Sequence, residues 1–157
     1  REGRVEEAKP TEAMEWFKVS ANKNFDRSLI ELGKGYESGV AGRRDYREAV
    51  KLYRRARAND SKRDNSPYLK ATYHLGRLYL KGLGVSQDTK KGLKFIREAA
   101  NGKVNLALIE MGRISEEGRY LSKDLNSALN YFLEAKNNGF LDSEVDIDRI
   151  KTKMGSR

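Results

Sequence analysis

The sequence contains no cysteine. Disulfides, thiolate metal sites and cysteine nucleophiles are therefore excluded. It contains one histidine, His74, which leaves no material for a histidine-rich metal site and little for a Ser-His-Asp arrangement. No apolar run approaches the roughly 18 residues that a membrane helix needs, and no signal peptide is visible. The chain opens on Arg1 rather than Met, so it is expected to be an excised or processed piece of a longer protein. The absence of cysteine fits any compartment. The cytoplasm is the expected one, with a mitochondrial location after presequence removal as the alternative.

What is abundant is charge. Lys and Arg number 32 against 23 Asp and Glu, for a net charge of +9. This balance favours acidic partners: acidic peptides, nucleic acid or an anionic membrane surface. Charged residues make up 35% of the chain and apolar residues 38%, as in a soluble, helix-rich chain of 157 residues forming one domain.

Internal repetition organises the rest. Leu32-Gly33, Leu75-Gly76 and Met111-Gly112 open similar passages, with glycine spacings of 43 and 36. Gly39, Gly82 and Gly118 recur at the same spacings. So do Asp45, Asp88 and Asp124, and then Ala49, Gly92 and Ala128. A 36-residue step back from Ala49 reaches Ala13, and one from Gly39 reaches Gly3, so the chain begins inside an earlier unit. A seven-residue insertion in the polar "NDSKRDNSPYLK" carries Pro67 and reads as an exposed loop.

Each unit reads as two helices. The first carries apolar residues at helical spacing, as in Leu29, Leu32 and Tyr36, and a glycine follows its last turn. The second starts at the recurring aspartate. Asp45 and Glu48 have the spacing of a capping box, and Pro10 suits the start of the earliest copy. The stripes expected to be buried are Ala13, Trp16, Phe17; Ala49, Leu52, Tyr53, Ala56; Leu93, Phe95, Ile96, Ala99; and Ala128, Tyr131, Phe132, Ala135. Small residues alternate with large ones, so antiparallel neighbours interlock.

The passage "ATYHLGRLYLKGLGVSQDTKKGLKFIREAANGK" resembles the Sel-1-like repeat, a relative of the tetratricopeptide repeat. Ala71, Leu75, Gly76, Tyr79, Gly82, Gly84, Val85, Asp88, Lys91, Phe95, Ile96, Ala99 and Ala100 fill that family's pattern, with Gly92 in place of alanine. Ser28 stands for the first alanine of the preceding copy, and Ile114 replaces the tyrosine of the following one. The resemblance implies an all-α, right-handed α-α superhelix of about 3.5 two-helix repeats, with seven main helices. The expected domain spans 3–154: part of a repeat at 3–25, repeats at 26–66 (insert 59–66), 67–102 and 103–138, and a capping helix at 142–154. In that last helix Ser143 and Ile147 keep the first-helix columns, and Asp148 replaces the close-packing glycine, as suits the end of a solenoid. The resemblance also implies a scaffold that assembles other proteins.

Gly82 and Gly84 are accordingly helix-connecting glycines. Neither phosphate-binding glycine motif is present. His74, beside the core Leu75, reads as a hydrogen-bonded structural histidine. Glu116 and Glu117 diverge by about 100° around a helix and do not converge as an acid and base. Asp146 and Asp148 lie on opposite sides of a turn. No nucleophile-plus-base arrangement can be assembled, so no enzyme, cofactor or metal is expected.

In the tetratricopeptide relatives, first helices line a concave face. By that analogy two rows face a groove: Ile30, Tyr73, Ile109 and Val145, and the basic Lys34, Arg77, Arg113 and Arg149. An extended segment with apolar and acidic side chains would fit them. The alternative is that the apolar row packs between helices and the basic row is solvated. An outer basic stripe of Arg47, Lys51, Arg54 and Arg55, continued by Lys90, Lys91, Lys94 and Arg97, would suit nucleic-acid phosphates. The leading expectation is a non-enzymatic scaffold or adaptor binding a partner segment in a concave groove. The alternative is a nucleic-acid-associated adaptor in a ribonucleoprotein assembly.

Overall fold

The structure, a computed structural model, describes residues 10–23, 26–40, 42–58 and 65–155. Among these residues there is no strand, and eight α-helices follow one another: α1 (Pro10–Asn22), α2 (Asp26–Ser38), α3 (Tyr46–Ala58), α4 (Pro67–Lys81), α5 (Thr89–Asn101), α6 (Asn105–Glu117), α7 (Leu125–Asn137) and α8 (Ser143–Gly155). Each helix packs on the next, and α2 also meets α4. The all-α solenoid is the fold expected. The expected count of seven helices is corrected to eight, because unpaired helices stand at both ends, α1 before and α8 after the pairs α2–α3, α4–α5 and α6–α7.

The recurring aspartates start the second helices by satisfying N–H groups that have no partner inside the helix. The Asp45 carboxylate accepts from Arg47 and Glu48 N–H at 2.9 and 3.0 Å. Asp88 accepts from Lys91 N–H at 2.9 Å, and Asp124 from Asn126 and Ser127 N–H at 3.0 and 3.1 Å. The capping box expected at Asp45 is half of one, since the Glu48 carboxylate turns forward to Lys51 at 2.8 Å. The same aspartates also tie the two helices of a unit together. The N–H of Asp45, Asp88 and Asp124 donates to the carbonyl of Tyr36, Tyr79 and Ser115 at 3.0, 3.0 and 2.8 Å.

One glycine column sets the distance between paired helices. A Cβ on Gly33 would lie 2.6 Å from Tyr53 Cε1, on Gly76 2.7 Å from Ile96 Cγ1, and on Gly112 2.6 Å from Phe132 Cε1. Those three contacts are one column meeting another, so a larger residue forces the helices apart. Asp148 holds the same place on α8 and is exposed. Gly82 ends α4 in the left-handed region at φ 66°. The backbone at Gly84 presses against Tyr46 and Arg47 at the start of α3, leaving no room for a Cβ. The glycine pair of this loop is thus a turn and a contact between repeats.

Two apolar clusters share α4 as a common wall. Ala71, Leu75, Leu78 and Tyr79 face the cluster with α1–α3, while Tyr68, Leu69, Tyr73 and Leu80 face the cluster running to α8. Three expectations are corrected. Trp16, expected in a buried stripe, is 73% exposed. Its column packs against the preceding unit, as Phe95 does on Arg57 of α3, and no helix precedes α1 among the described residues. Pro67, expected in the exposed insert, instead opens α4. Most of the insert, 59–64, lies outside the described residues, but its end is fixed: Asn65 N–H donates to Gly102 O at 2.7 Å. Ser66 is buried and caps α4, accepting from Leu69 N–H at 3.3 Å.

Candidate functional site

The first helices α2, α4, α6 and α8 bring the expected rows onto successive units, in unequal environments. Ile30, Tyr73 and Ile109 are buried in the cores, whereas Val145 is 72% exposed, because no helix follows α8 among the described residues. The apolar row is therefore mostly packing between helices. The basic row divides. Arg77 Nη1 lies 3.4 Å from Glu37 on the preceding first helix. Arg149 reaches back the same way, its Nε and Nη2 donating to the two carboxylate oxygens of Glu116 at 2.9 and 2.7 Å. Lys34 pairs at 2.8 Å with Glu31 on its own helix. Arg113 is exposed and makes no ion pair among the described residues.

Of the two carboxylates that receive these arginines, Glu37 was not singled out in the sequence, and Glu116 was weighed there only as half of an acid–base pair. Glu37 Oε1 accepts from the Tyr53 hydroxyl at 2.6 Å, and His74 Nδ1 stands 3.5 Å from the same oxygen. The His74 ring stacks on Tyr53 with centroids 4.8 Å apart, so this histidine is structural. Burial raises the Glu37 carboxyl, but His74, Tyr53 and Arg77 together outweigh it and leave it below the ordinary carboxylate range. Burial and the adjacent carboxylate push the Tyr53 hydroxyl far up, which keeps it a donor. Glu116 is 7% exposed and takes a third bond from Lys153 at 2.7 Å. The Arg149 bonds, against the cost of burial and with help from Lys153, hold its carboxyl at about 2. Glu117, its neighbour in sequence, points outward to Arg119 at 2.6 Å. The signal that would have found the pair is register: the spacings 43 and 36 carry Glu37 to Leu80 and Leu80 to Glu116.

At the middle junction, where that column holds Leu80, a cleft of about 220 Å³ opens between the C-terminal ends of α4 and α6. Arg77, Leu80 and Lys81 line one side and Glu110, Arg113, Ile114 and Glu117 the other, with Arg119 and Tyr120 at its end. Glu110 stands one turn before Arg113, but no ion pair joins them.

The outer stripe is largely engaged within the fold. Lys51 pairs with Glu48 at 2.8 Å, Arg54 donates to the Tyr79 hydroxyl at 2.9 Å, and Arg55 donates to the Ala21 carbonyl at 2.9 Å. Arg47 is exposed in the first turn of α3. Arg57, which the sequence reading passed over, threads between repeats: it donates to Thr72 at 3.0 Å and lies 4.4 Å from the Phe95 ring centre. Among the described residues no three His, Asp or Glu side chains gather to hold a metal ion, and no helix is long and apolar enough to cross a membrane.

Paired helices with a glycine at each closest approach, aspartate caps and contacts repeating from unit to unit define a helical-repeat protein. The chain belongs to the Sel1 repeat family, whose model matches residues 2–25, 27–61, 69–103 and 105–140. Members of this family are in general protein-interaction scaffolds rather than enzymes. Among solved structures, the chain is similar to a Sel1 repeat protein from Oxalobacter formigenes, with TM-score 0.70 and 24% identity over 89% of this chain and 54% of that one. It is also similar to a protective antigen of uropathogenic Escherichia coli strains with an SLR fold, with TM-score 0.66 and 28% identity over 85% of this chain and 27% of that one. A curated relative, the chitin synthase regulator SKT5 of Saccharomyces cerevisiae, is 28% identical over 108 residues. That match takes in 69% of this chain and 14% of the relative, so the chain spans a small part of that protein's length.

Proposed function

We propose that this chain is a non-enzymatic interaction module, with residues 3–154 acting as one unit, that holds a segment of another protein against its first-helix face within a larger assembly. The observation that carries this reading is the stitching of first helices at the two outer of their three junctions. Glu37 meets Arg77 and Glu116 meets Arg149 across repeat boundaries. Ties of this kind hold neighbouring first helices in fixed register, and preformed surfaces bind with less ordering cost. Similarity to a regulator of chitin synthase supports a module that ties an enzyme on another chain to the assembly. The test is a photo-crosslinking amino acid placed in the full-length protein at Arg113 on the first-helix face or at Lys94 on the second-helix face. Protein adducts concentrated at position 113 are expected. Adducts to nucleic acid, or protein adducts from position 94 alone, would sink the reading.

A further inference from the structure

Three junctions between first helices share one register. At the first, a carboxylate from α2, Glu37, receives an arginine from α4. At the third, a carboxylate from α6, Glu116, receives an arginine from α8. At the second, the arginine is present as Arg113 but the carboxylate column holds Leu80, which is buried against Gly92. Arg113 is thus a cation in a register built to face a carboxylate, with none provided. We propose that the cleft between α4 and α6 takes a carboxylate from an acidic segment of a partner protein, seated on Arg113 as Glu37 and Glu116 sit on their arginines at the neighbouring junctions. This deepens the preceding reading and rests on it, since it requires that the first-helix face bind protein.

The surroundings suit that occupant. The cleft carries Arg77, Lys81, Arg113 and Arg119 against Glu110 and Glu117. Arg77 is already held by Glu37, and Arg119 by Glu117. Arg113 and Lys81 remain without an ion-pair partner among the described residues, opposed by Glu110 alone. Leu80 and Ile114 supply an apolar wall that displaces water, and a charge-assisted bond strengthens where water is displaced. A planar carboxylate matches the guanidinium fork in two parallel bonds, as Glu116 does with Arg149.

The test uses a fluorescent hexaglutamate peptide, followed by anisotropy at moderate salt, with a thymidine oligomer of matched charge in parallel. Arg113→Glu with Lys81→Glu is expected to weaken peptide binding at least about tenfold, as expected when a charge-assisted contact is lost and reversed. Lys94→Glu with Arg97→Glu imposes the same charge change on the second-helix face and is expected to weaken it less than about threefold, by long-range attraction alone. Arg113→Gln, which folds without reversing charge, should show an intermediate loss. Equal weakening by the two double variants overturns the cleft as a site, as does an undetectable peptide complex. Tighter, Arg113-dependent binding of the oligomer overturns the carboxylate in favour of phosphate. If the cleft fails while crosslinks still concentrate on the first-helix face, the site falls and the interaction module stands; if those crosslinks fail too, both fall.

Discussion

Glu37 and Glu116 hold the same place in the repeat and reach satisfaction by different routes. Glu37 leans on an uncharged donor, the Tyr53 hydroxyl at 2.6 Å, with Arg77 at the long distance of 3.4 Å. Glu116 is met by two full cations, Arg149 and Lys153, at 2.7 Å each. The cause lies across the helix pair. The column that holds Tyr53 in α3 holds Phe132 in α7, which has no hydroxyl to give, so donors for Glu116 come from α8 instead. In the middle copy both columns are apolar, Leu80 and Ile96, and the question does not arise. The repeat dictates where a polar group sits; neighbouring helices decide how it is satisfied, because an unpaired buried charge costs several kcal/mol.

The largest effect expected from breaking this arrangement is that of Arg149→Ala. It leaves Glu116 buried with Lys153 alone, and chemical denaturation should show a loss of about 3 kcal/mol. A loss below about 1 kcal/mol would mean that Lys153 suffices and the two junctions are closer in kind than their geometry indicates.

Acid should sharpen the same contrast. The Glu116 carboxyl sits at about 2 against an ordinary 4.5, so the unfolded chain takes up its proton first. Its contribution, about 3 kcal/mol at most, is complete above pH ~4.5 and disappears as the pH falls toward 2. Stability measured across that window should fall less in Glu116→Gln than in the parent. Parallel curves would show that Arg149 and Lys153 do not hold the charge.

At the first junction, Tyr53→Phe supplies the residue that the third junction has naturally. Glu37 then loses its short hydrogen bond without gaining a second close cation, and a loss of about 1–2 kcal/mol in the thermal or urea transition is expected. An unchanged transition would place the burden on His74 and Arg77. The smallest effect belongs to the middle junction, where Arg113→Gln should shift stability by less than about 0.5 kcal/mol, as exposed positions do. A larger loss would show that Arg113 has a structural partner.

Much of the architecture was legible because the repeat columns are steric. A glycine at a closest approach and an aspartate at a helix start each answer a local demand that recurs every unit, so Gly33, Gly76 and Gly112, or Asp45, Asp88 and Asp124, declare themselves by spacing. Trp16 was misread for the complementary reason. Its column is buried only where a preceding unit covers it, and no local feature of "EAMEWF" states whether one does. Ser66 and Pro67 were read as loop because they adjoin a polar insert, although serine followed by proline is also how a helix begins.

The candidate site was less legible. Lys34, Arg77, Arg113 and Arg149 look alike in register, and sequence alone ranks them equally. Their differences arise across repeat boundaries, through Glu37, Leu80 and Glu116, at separations of 33 to 40 residues. What the sequence by itself determined is the all-helical repeat, because helix periodicity, caps and close-approach glycines are set within one unit. What tertiary structure alone decided is which cations are held and which face the cleft, because ion pairing depends on the distance between side chains from neighbouring helices, and that distance exists only once the units have stacked.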